Sequence, residues 1–454
     1  MKEIRIVSPS GMLGYGFPKE SFDRAFDQKI DGIVVDAGST DAGPHKLGAG
    51  VSIVSERAVK KDLEIMLAQG IPNKIPTIIG SAGGAGAKQH VEDTLAILKE
   101  IIHEQNYEAK IAVIWADFEK DYIIDALDDN RITPLSNNIP DLTKEAVQET
   151  ASIVAQMGHE PILEALQGGA DIIVCGRAYD PSPFAAIGIY HGMDEGLSYH
   201  LGKILECGAL CAEPGTTKDS ILGTIYSDSF TVESLNPERK CTKTSVAAHT
   251  FYEKEHPYLL NGPGFQLDLS NCSFTEKSLG VVEVKGSTYV ETEKHLVKLE
   301  GARKTSYRAF VIAGIRDPLL LANLEKVEKE VKKQVKNYYV EVPETEYEIN
   351  FYYYGKNAVL GDKEPEIFQG HEVGVLFEVL AKTQELANAL CATLRSTYLH
   401  YGYEGRKSTA GNLAFPFAPS DVTFGPVYQF SVYHLLEVTD NPFRIEWLEV
   451  GSND

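Results

Sequence analysis

Acids, bases and nucleophiles in this chain recur where an apolar run has just ended. Asp36 closes the run GIVVD and is followed within ten residues by Ser39, Thr40, Asp41 and His45. A carboxylate and an imidazole so placed can bind a divalent metal or exchange protons with a bound molecule. An Asp at such a point also commonly caps a turn. Arg177 follows the run DIIVCG and precedes Tyr179, Asp180 and Pro181. Its planar guanidinium suits two-pronged binding of a carboxylate; the competing role is an internal ion pair with Asp180 that shapes the loop. Glu206 and Cys207 sit together in YHLGKILECGALC, with Cys211 four residues on. If a helix continues there, both thiols share one face, and His200 adds a third zinc-type donor, but no fourth ligand stands nearby. A cysteine in a reduced protein serves as readily as a small buried hydrophobe. His249, Tyr252, Glu253 and His256 bring base, phenol and acid into one short segment, in a spacing that equally describes one polar helix face.

The glycine-rich stretch GSAGGAGA (80–87) follows an apolar run and precedes a helical pattern. Free NH groups and the helix dipole at such a junction favour an anion; the alternative is a tight turn with close packing. The spacing of Gly80, Gly83, Gly84 and Gly86 is not the dinucleotide fingerprint, and the phosphate-binding GK[ST] is missing. The stretch GRKSTAGNLAFPFAPSDVTFGP (405–426), with Asn412 inside it, is long and rich in Gly, Pro and Ser, the mark of a functional or mobile loop.

The elements that must position these groups are legible in the first half. IRIVSPS (4–10), GIVVDAGS (32–39), TIIGSAG (77–83), IAVIWADF (111–118) and DIIVCGRA (171–178) are nearly continuous apolar runs, as strands of a parallel sheet covered on both faces should be. Helical patterns fill 55–70, capped by Ser55 and stopped at Gly70, and 87–106; a further helix is expected from Thr143 towards Gly168, with Gly158 as the point where it could break. Alternation of this kind means βαβ units and a doubly wound, mostly parallel α/β sheet, whose ligand crevice lies outside the carboxyl ends of the strands. All five of these ends are small or polar. Segments 218–233 and 279–292 read as strands with irregular connections. Residues 306–438 then give the order β-α-β-β-α-β of a smaller, ferredoxin-like α+β domain, with Leu320, Leu324, Val327, Val331, Val335 and Tyr338 at helical spacing. The expected division is 1–215 for the α/β domain with the crevice, 216–305 for a strand-rich region completing it, and 306–454 for the small domain.

The chain has 454 residues, 43% hydrophobic and 24% charged, and a net charge of −22. That length is enough for two or three domains with a substantial core. The charge repels phosphate backbones and anionic lipid heads, which argues against nucleic-acid and membrane-surface roles. Six cysteines with no CxxC pair do not make a disulfide framework. With no signal-like start and no membrane-length apolar run, the expectation is a reduced, cytoplasmic protein.

The segments DGIVVDAGSTDAGP, GSAGGAGA, IIVCGRAYDPSPFAA, HLGKILECGA, SVAAHTFYEKEHPY and NLAFPFAPSD together resemble the acyclic terpene utilisation family of bacterial proteins. The resemblance spans most of the chain, more loosely at the end. It implies a large α/β domain with a small second domain, and a part in breaking down branched acyclic terpenoid acids as CoA thioesters. It supplies no catalytic residues. After ECGA this chain reads LCAEPGTT, where the family pattern has a glycine-rich continuation, so that loop departs from it.

The resulting expectation is a lyase of the hydratase type, or an isomerase. It would add or eliminate water, or shift a double bond, beside a carboxylate or CoA thioester. Asp36, Asp180, Glu206, Cys207 and His249 would carry the catalysis. Ser39, Thr40, Ser81, Gly83, Gly84, Gly86, Arg177 and Asn412 would bind the small carboxylic acid or acyl-CoA. A divalent metal is the one cofactor considered, with no ligand set assigned, and a homodimer is the expected assembly. The alternative is a non-catalytic acyl-CoA-binding subunit of a degradative complex; an ATP-dependent ligase or kinase lacks its phosphate-binding lysine.

Overall fold

The computed structural model describes residues 2–38, 40, 43–252, 256–368, 370–407 and 411–451. The chain forms two compact units: residues 1–303 with 429–454, and residues 304–428.

The first unit is built on a ten-stranded sheet. Its centre is five parallel strands in the order Ile4–Ser8, Gly32–Asp36, Thr77–Gly80, Ile172–Cys175, Ala109–Ile114. Antiparallel strands flank them: Ile221–Ile225, Phe230–Ser234, Val281–Lys285 and Ser273–Ser278 beyond the first, and Ile445–Val450 beyond the last. Alternate side chains of the parallel strands enter different cores. Ile6, Val34, Ile78, Ala112 and Ile173 pack on one face against Ile162, Phe184, Ile187, Leu201 and Ile204. Val7, Ile33, Val35, Ile79, Val113 and Val174 pack on the other against Leu63, Met66, Leu67, Val91, Leu98 and Ile101. Each buried Val or Ile contributes about 1.5–3 kcal/mol, which is why these runs are continuously apolar.

The helices do the covering. Glu56–Asn73 begins where the Ser55 side chain accepts the Ala58 NH; it runs past Gly70, ending after Pro72 with Lys74 in the left-handed region. Lys88–Gln105 covers the same face. Glu160–Gln167, Ser182–Tyr190 and Glu195–Leu205 cover the other. The helix expected from Thr143 towards Gly168, with a break open at Gly158, is instead a short helix Lys144–Glu149, a strand Ser152–Ala155 and, past Gly158, the helix Glu160–Gln167. The β-branched Ile153 and Val154 prefer a pleated surface, and they find one: Ile153 faces Gly301 and Val154 faces Glu300 across an antiparallel pair.

In the second unit, Val373–Ala381 lies between Tyr347–Tyr354 and the Tyr307–Ile315 part of the strand Leu296–Ile315. Helices Leu324–Tyr338 and Gln384–His400 bury Val327, Val331, Val335, Leu390, Leu394 and Tyr398 against Val311, Val375, Phe377 and Val379. Tyr338 departs from the expected stripe and is exposed. Chain order here is strand, helix, strand, strand, helix, strand, the last being the start of Asp421–Glu437. Among the described residues no helix is long and apolar enough to cross a membrane.

Candidate functional site

Asp36 is the last residue of its strand, and the loops leaving Thr77–Gly80 and Ile172–Cys175 turn beside it. Ala37 NH donates to the Gly80 carbonyl (2.8 Å), Ala82 NH to the Cys175 carbonyl (3.0 Å) and Met157 NH to the Arg177 carbonyl (3.1 Å). Ser81 takes a left-handed backbone (φ 47°), uncommon for a residue with a Cβ. The geometry lets its Oγ accept from the Arg177 guanidinium (3.0 Å) and from the Ala178 NH (3.2 Å).

Arg177 is buried, and two of its three nitrogens are engaged: Nε with Glu300 (2.8 Å), and one terminal nitrogen with Asp180 (2.8 Å), Ser81 and the Ala178 carbonyl (2.8 Å). Glu300, wholly buried, also accepts from Lys298 (2.9 Å), Thr40 (2.8 Å) and Gln156 (3.3 Å). Burial pushes the Glu300 carboxyl up, but Arg177 and Lys298 outweigh it and hold the group down at about 2. Arg177, expected to clamp a substrate carboxylate, links the loops after Thr77–Gly80 and Ile172–Cys175 to Glu300 in the strand Leu296–Ile315, and the Thr40 hydroxyl donates to the same carboxylate.

Lys203 and Glu206 form a second buried ion pair at the end of the helix Glu195–Leu205. Asp36 lies close enough that burial first, then Asp180 and Glu206, raise its carboxyl well above the usual range, against the pull of Arg177. The Gly38 NH supports the carboxylate, while Oδ1 is buried with no hydrogen-bond partner among the described residues. His249, on the helix Lys243–Phe251, stacks on the Tyr252 ring at 5.1 Å. Burial and the Lys203 charge lower its imidazole to about 4; one ring nitrogen donates to the Ile204 carbonyl, and Nε2 is buried without a partner. Lys203 Nζ lies 5.5 Å from the Tyr252 ring, and Cys207 Sγ lies 3.7 Å from the Tyr252 hydroxyl. Asp36, Arg177, Asp180, Lys203, Glu206, Cys207 and His249 thus form one neighbourhood at the carboxyl ends of the parallel strands.

Four expectations look different in this light. Burial and Glu206 push the Cys207 thiol up to about 12 despite Lys203, the opposite of an activated nucleophile. Cys207 and Cys211 do not share a helix face, because the helix stops at Leu205 and Gly208 turns with φ 61°; the free thiol of Cys211 hydrogen-bonds with that of Cys241, and His200 bonds to Ser287 (2.7 Å) and Thr250 (3.1 Å). Two NH groups of the glycine loop are spent internally, Gly84 on the Ser81 carbonyl (3.0 Å) and Gly86 on the Ala82 carbonyl (3.1 Å), and those two do not face an anion. A Cβ on Gly86 would lie 2.1 Å from the Arg177 nitrogen, and one on Gly83 would meet His90 at 2.7 Å, so these glycines permit close packing. Asn412 belongs to the second unit, where its amide holds the Tyr398 and Tyr401 carbonyls (2.8 Å each) at the end of the helix Gln384–His400. Ser39 lies outside the described residues.

The sequence reading assigned no role to Lys203, Lys298 or Glu300. Lys298 and Glu300 are two apart in a strand and so share a face, the one signal that could have pointed to them. Among the described residues no group of three or more His, Cys, Asp or Glu side chains could hold a metal ion. A cleft of about 590 Å³ opens at the opposite, amino ends of the strands, lined by Lys29, Asp31, Asn73, Lys74, Asp171 and His191 among others. It shares no residue with the cluster, and Lys29 already pairs with Asp31 and Asp171 with the Lys110 NH.

The model of the acyclic terpene utilisation family protein AtuA matches residues 4–418. The chain belongs to this family. That match takes in every residue of the cluster and much of the second unit, so the acyclic terpene utilisation family is defined across both. No curated protein and no solved structure matched the chain.

Proposed function

We propose that this member of the acyclic terpene utilisation family is an acid–base enzyme. It adds or eliminates water, or moves a double bond, at the carbon beside a carboxylate or thioester of a small or branched organic acid. One observation carries the reading. A carboxyl that tends to keep its proton, Asp36, and an imidazole that tends to lack one, His249, are both buried with an atom unpartnered, each within electrostatic reach of one member of the Lys203–Glu206 pair. Two groups with displaced pKa values in one cluster are what proton transfer at carbon needs. Asp180, about one-third exposed, and Glu206 tune Asp36.

The test is proton NMR in deuterated water, with and without divalent metal, on a panel of unsaturated and hydroxy acids and their CoA thioesters. Deuterium entering the carbon beside the carbonyl, or water adding across the double bond, is the expected result. Silence across the panel, with tight binding of one member, would instead support an acyl-CoA-binding subunit of a degradative complex. The exposed Ile312, Tyr352, Tyr354 and Phe424 of the second unit favour that second reading. We further read the first unit as doubly wound, since helices cover both sheet faces, and the second as ferredoxin-like, from its element order. Six free thiols support a reducing, cytoplasmic location, and a homodimer remains our reading of the assembly.

A further inference from the structure

We propose that the strand Tyr347–Tyr354 is where two copies of this chain join. It pairs antiparallel with its own copy across a two-fold axis, so that one sheet runs through both second units. The pairing rests on the homodimer reading, to which it gives a surface, and not on the acid–base chemistry.

Tyr347–Tyr354 stands at the end of its sheet and is bonded to Val373–Ala381 on one side only. Such an edge presents a row of free NH and C=O groups, and proteins blunt edges with short strands, charges, proline or a bulge. Other sheet ends in this chain are blunted in these ways. Ser273–Ser278 carries Glu276 and Lys277, with a register shift between Glu276 and Ser278. Ile445–Val450 carries Glu446 and Glu449, and Leu259–Gly262 and Thr288–Glu291 have four residues each. Tyr347–Tyr354 runs for eight residues in unbroken register, with no proline and with Glu348 as its one charge. Five of its eight residues are aromatic, a type that favours strands.

The groups left over on this edge can be named. The Lys382 NH donates to the Glu346 carbonyl (3.1 Å). Bonding positions alternate along an antiparallel pair, so Glu348, Asn350, Tyr352 and Tyr354 also bond inward, while Tyr347, Ile349, Phe351 and Tyr353 turn their NH and C=O outward. The Tyr353 carbonyl is taken by the turn that follows, where it accepts from the NH groups of Lys356 (3.0 Å), Asn357 and Ala358 (3.2 Å each). Tyr347, Ile349 and Phe351 remain. A two-fold axis at Ile349 sets that residue opposite its own copy and Tyr347 opposite the partner's Phe351, so each of these NH and C=O groups meets a complement. The same register places Glu348 opposite the partner's Asn350 and keeps the two Glu348 carboxylates from facing each other, where like charges would repel.

Charge permits the meeting. Residues 304–428 hold 14 basic and 16 acidic side chains, a net charge of −2, so −20 of the chain's −22 lies in the first unit. Two second units can approach without strong repulsion, because exposed charges farther apart than about 8 Å are largely screened at physiological salt.

The experiment uses the full chain. Sedimentation over a range of concentrations gives the mass, and amide hydrogen–deuterium exchange at the same concentrations, read by mass spectrometry, gives the protected strands. The expected result is a dimer in which Tyr347–Phe351 is protected and loses that protection on dilution, while Val373–Ala381 stays equally protected throughout. Ile349→Pro removes an NH with no partner among the described residues, a position where an edge strand tolerates proline. It should raise the dimer dissociation constant about tenfold or more and leave the protection of Val373–Ala381 unchanged. A dimer that exchanges freely at Tyr347–Phe351, or an Ile349→Pro chain that dimerises as tightly as the unaltered one, would overturn the pairing and keep the homodimer reading. A monomer at every concentration would overturn both and leave the edge to a different protein.

Discussion

Replacing Arg177 by Met separates a brace from a substrate clamp. The guanidinium is 3% exposed and Glu300 is 0% exposed, with 2.8 Å between Nε and the carboxylate. At an effective dielectric near 20, unit charges about 4 Å apart attract by about 4 kcal/mol. Removing one partner of a buried pair typically costs about 3–5 kcal/mol, because the other charge stays behind. Lys298, Thr40 and Gln156 still hold Glu300 in the variant, so the expected loss is about 3 kcal/mol. Arg177→Met combined with Glu300→Gln should cost less than the two singles added, by roughly 1–3 kcal/mol. Both tryptophans, Trp115 and Trp447, lie in the first unit, so urea unfolding followed by tryptophan fluorescence reads the part that contains the brace. The Glu300 contribution has a definite pH sign. Its folded value of about 2 lies below the ordinary 4.5, so its stabilisation is full above that ordinary value and is lost as pH falls through the folded one. An Arg177→Met cost below about 1 kcal/mol, or additive singles, would refute the brace; a clamp would weaken substrate binding and leave stability untouched.

Three further outcomes follow from the same geometry. His249 titrates at about 4 in the fold against an ordinary 6.5, so the protein should lose about 3 kcal/mol as pH falls across that window, being fully stable above it; His249→Gln should flatten this slope, and an unchanged slope would place the imidazole elsewhere. Cys207→Ser should leave turnover on the true substrate nearly unaltered, since a thiol held at about 12 is no nucleophile at neutral pH; a loss of an order of magnitude would restore a catalytic role. Gly86→Ala places a Cβ 2.1 Å from the Arg177 backbone at φ 62°, and should destabilise the first unit by about 3 kcal/mol or more; a thermal or urea midpoint like that of the unaltered protein would show the loop free to move.

The parts of the fold legible in the sequence are those whose cause is local. GIVVD and IIVC read as buried strands because both faces of a parallel sheet are apolar, and Ser55 announced its helix by capping it. Ser152–Ala155 was hidden, since four residues between helical patterns carry too little periodicity, and its partner lies at Leu299–Ala302. Ile445–Val450 was equally silent: its register against Ala109–Ile114 is set by contacts more than 300 residues away in sequence. Asp36, Arg177, Asp180, Glu206 and His249 could be picked out as residue types at strand ends and loop mouths. Their partners could not, because nothing local says that Arg177 reaches Glu300 or that Gly84 and Gly86 donate inward.

The charge balance gives these observations a common cause. A chain with net charge −22 can gather four carboxyls in one place, three of them buried, only if cations are brought there, and Arg177, Lys203 and Lys298 come from a strand exit, a helix end and a strand lying far apart in sequence. Their approach depends on backbones passing closely: a Cβ on Gly38 would lie 2.2 Å from the Gly84 Cα, and one on Gly86 would strike the Arg177 nitrogen. The glycines that suggested an anion cradle thus serve the ion pairs indirectly, by letting the loops that carry Asp36 and Arg177 meet. Once those pairs close, one carboxyl is left over. A buried carboxyl with no cation of its own tends to keep its proton, and the proposed function uses that proton together with the neutral imidazole of His249. The packing that fixes the fold is therefore also what sets the acidity of the site.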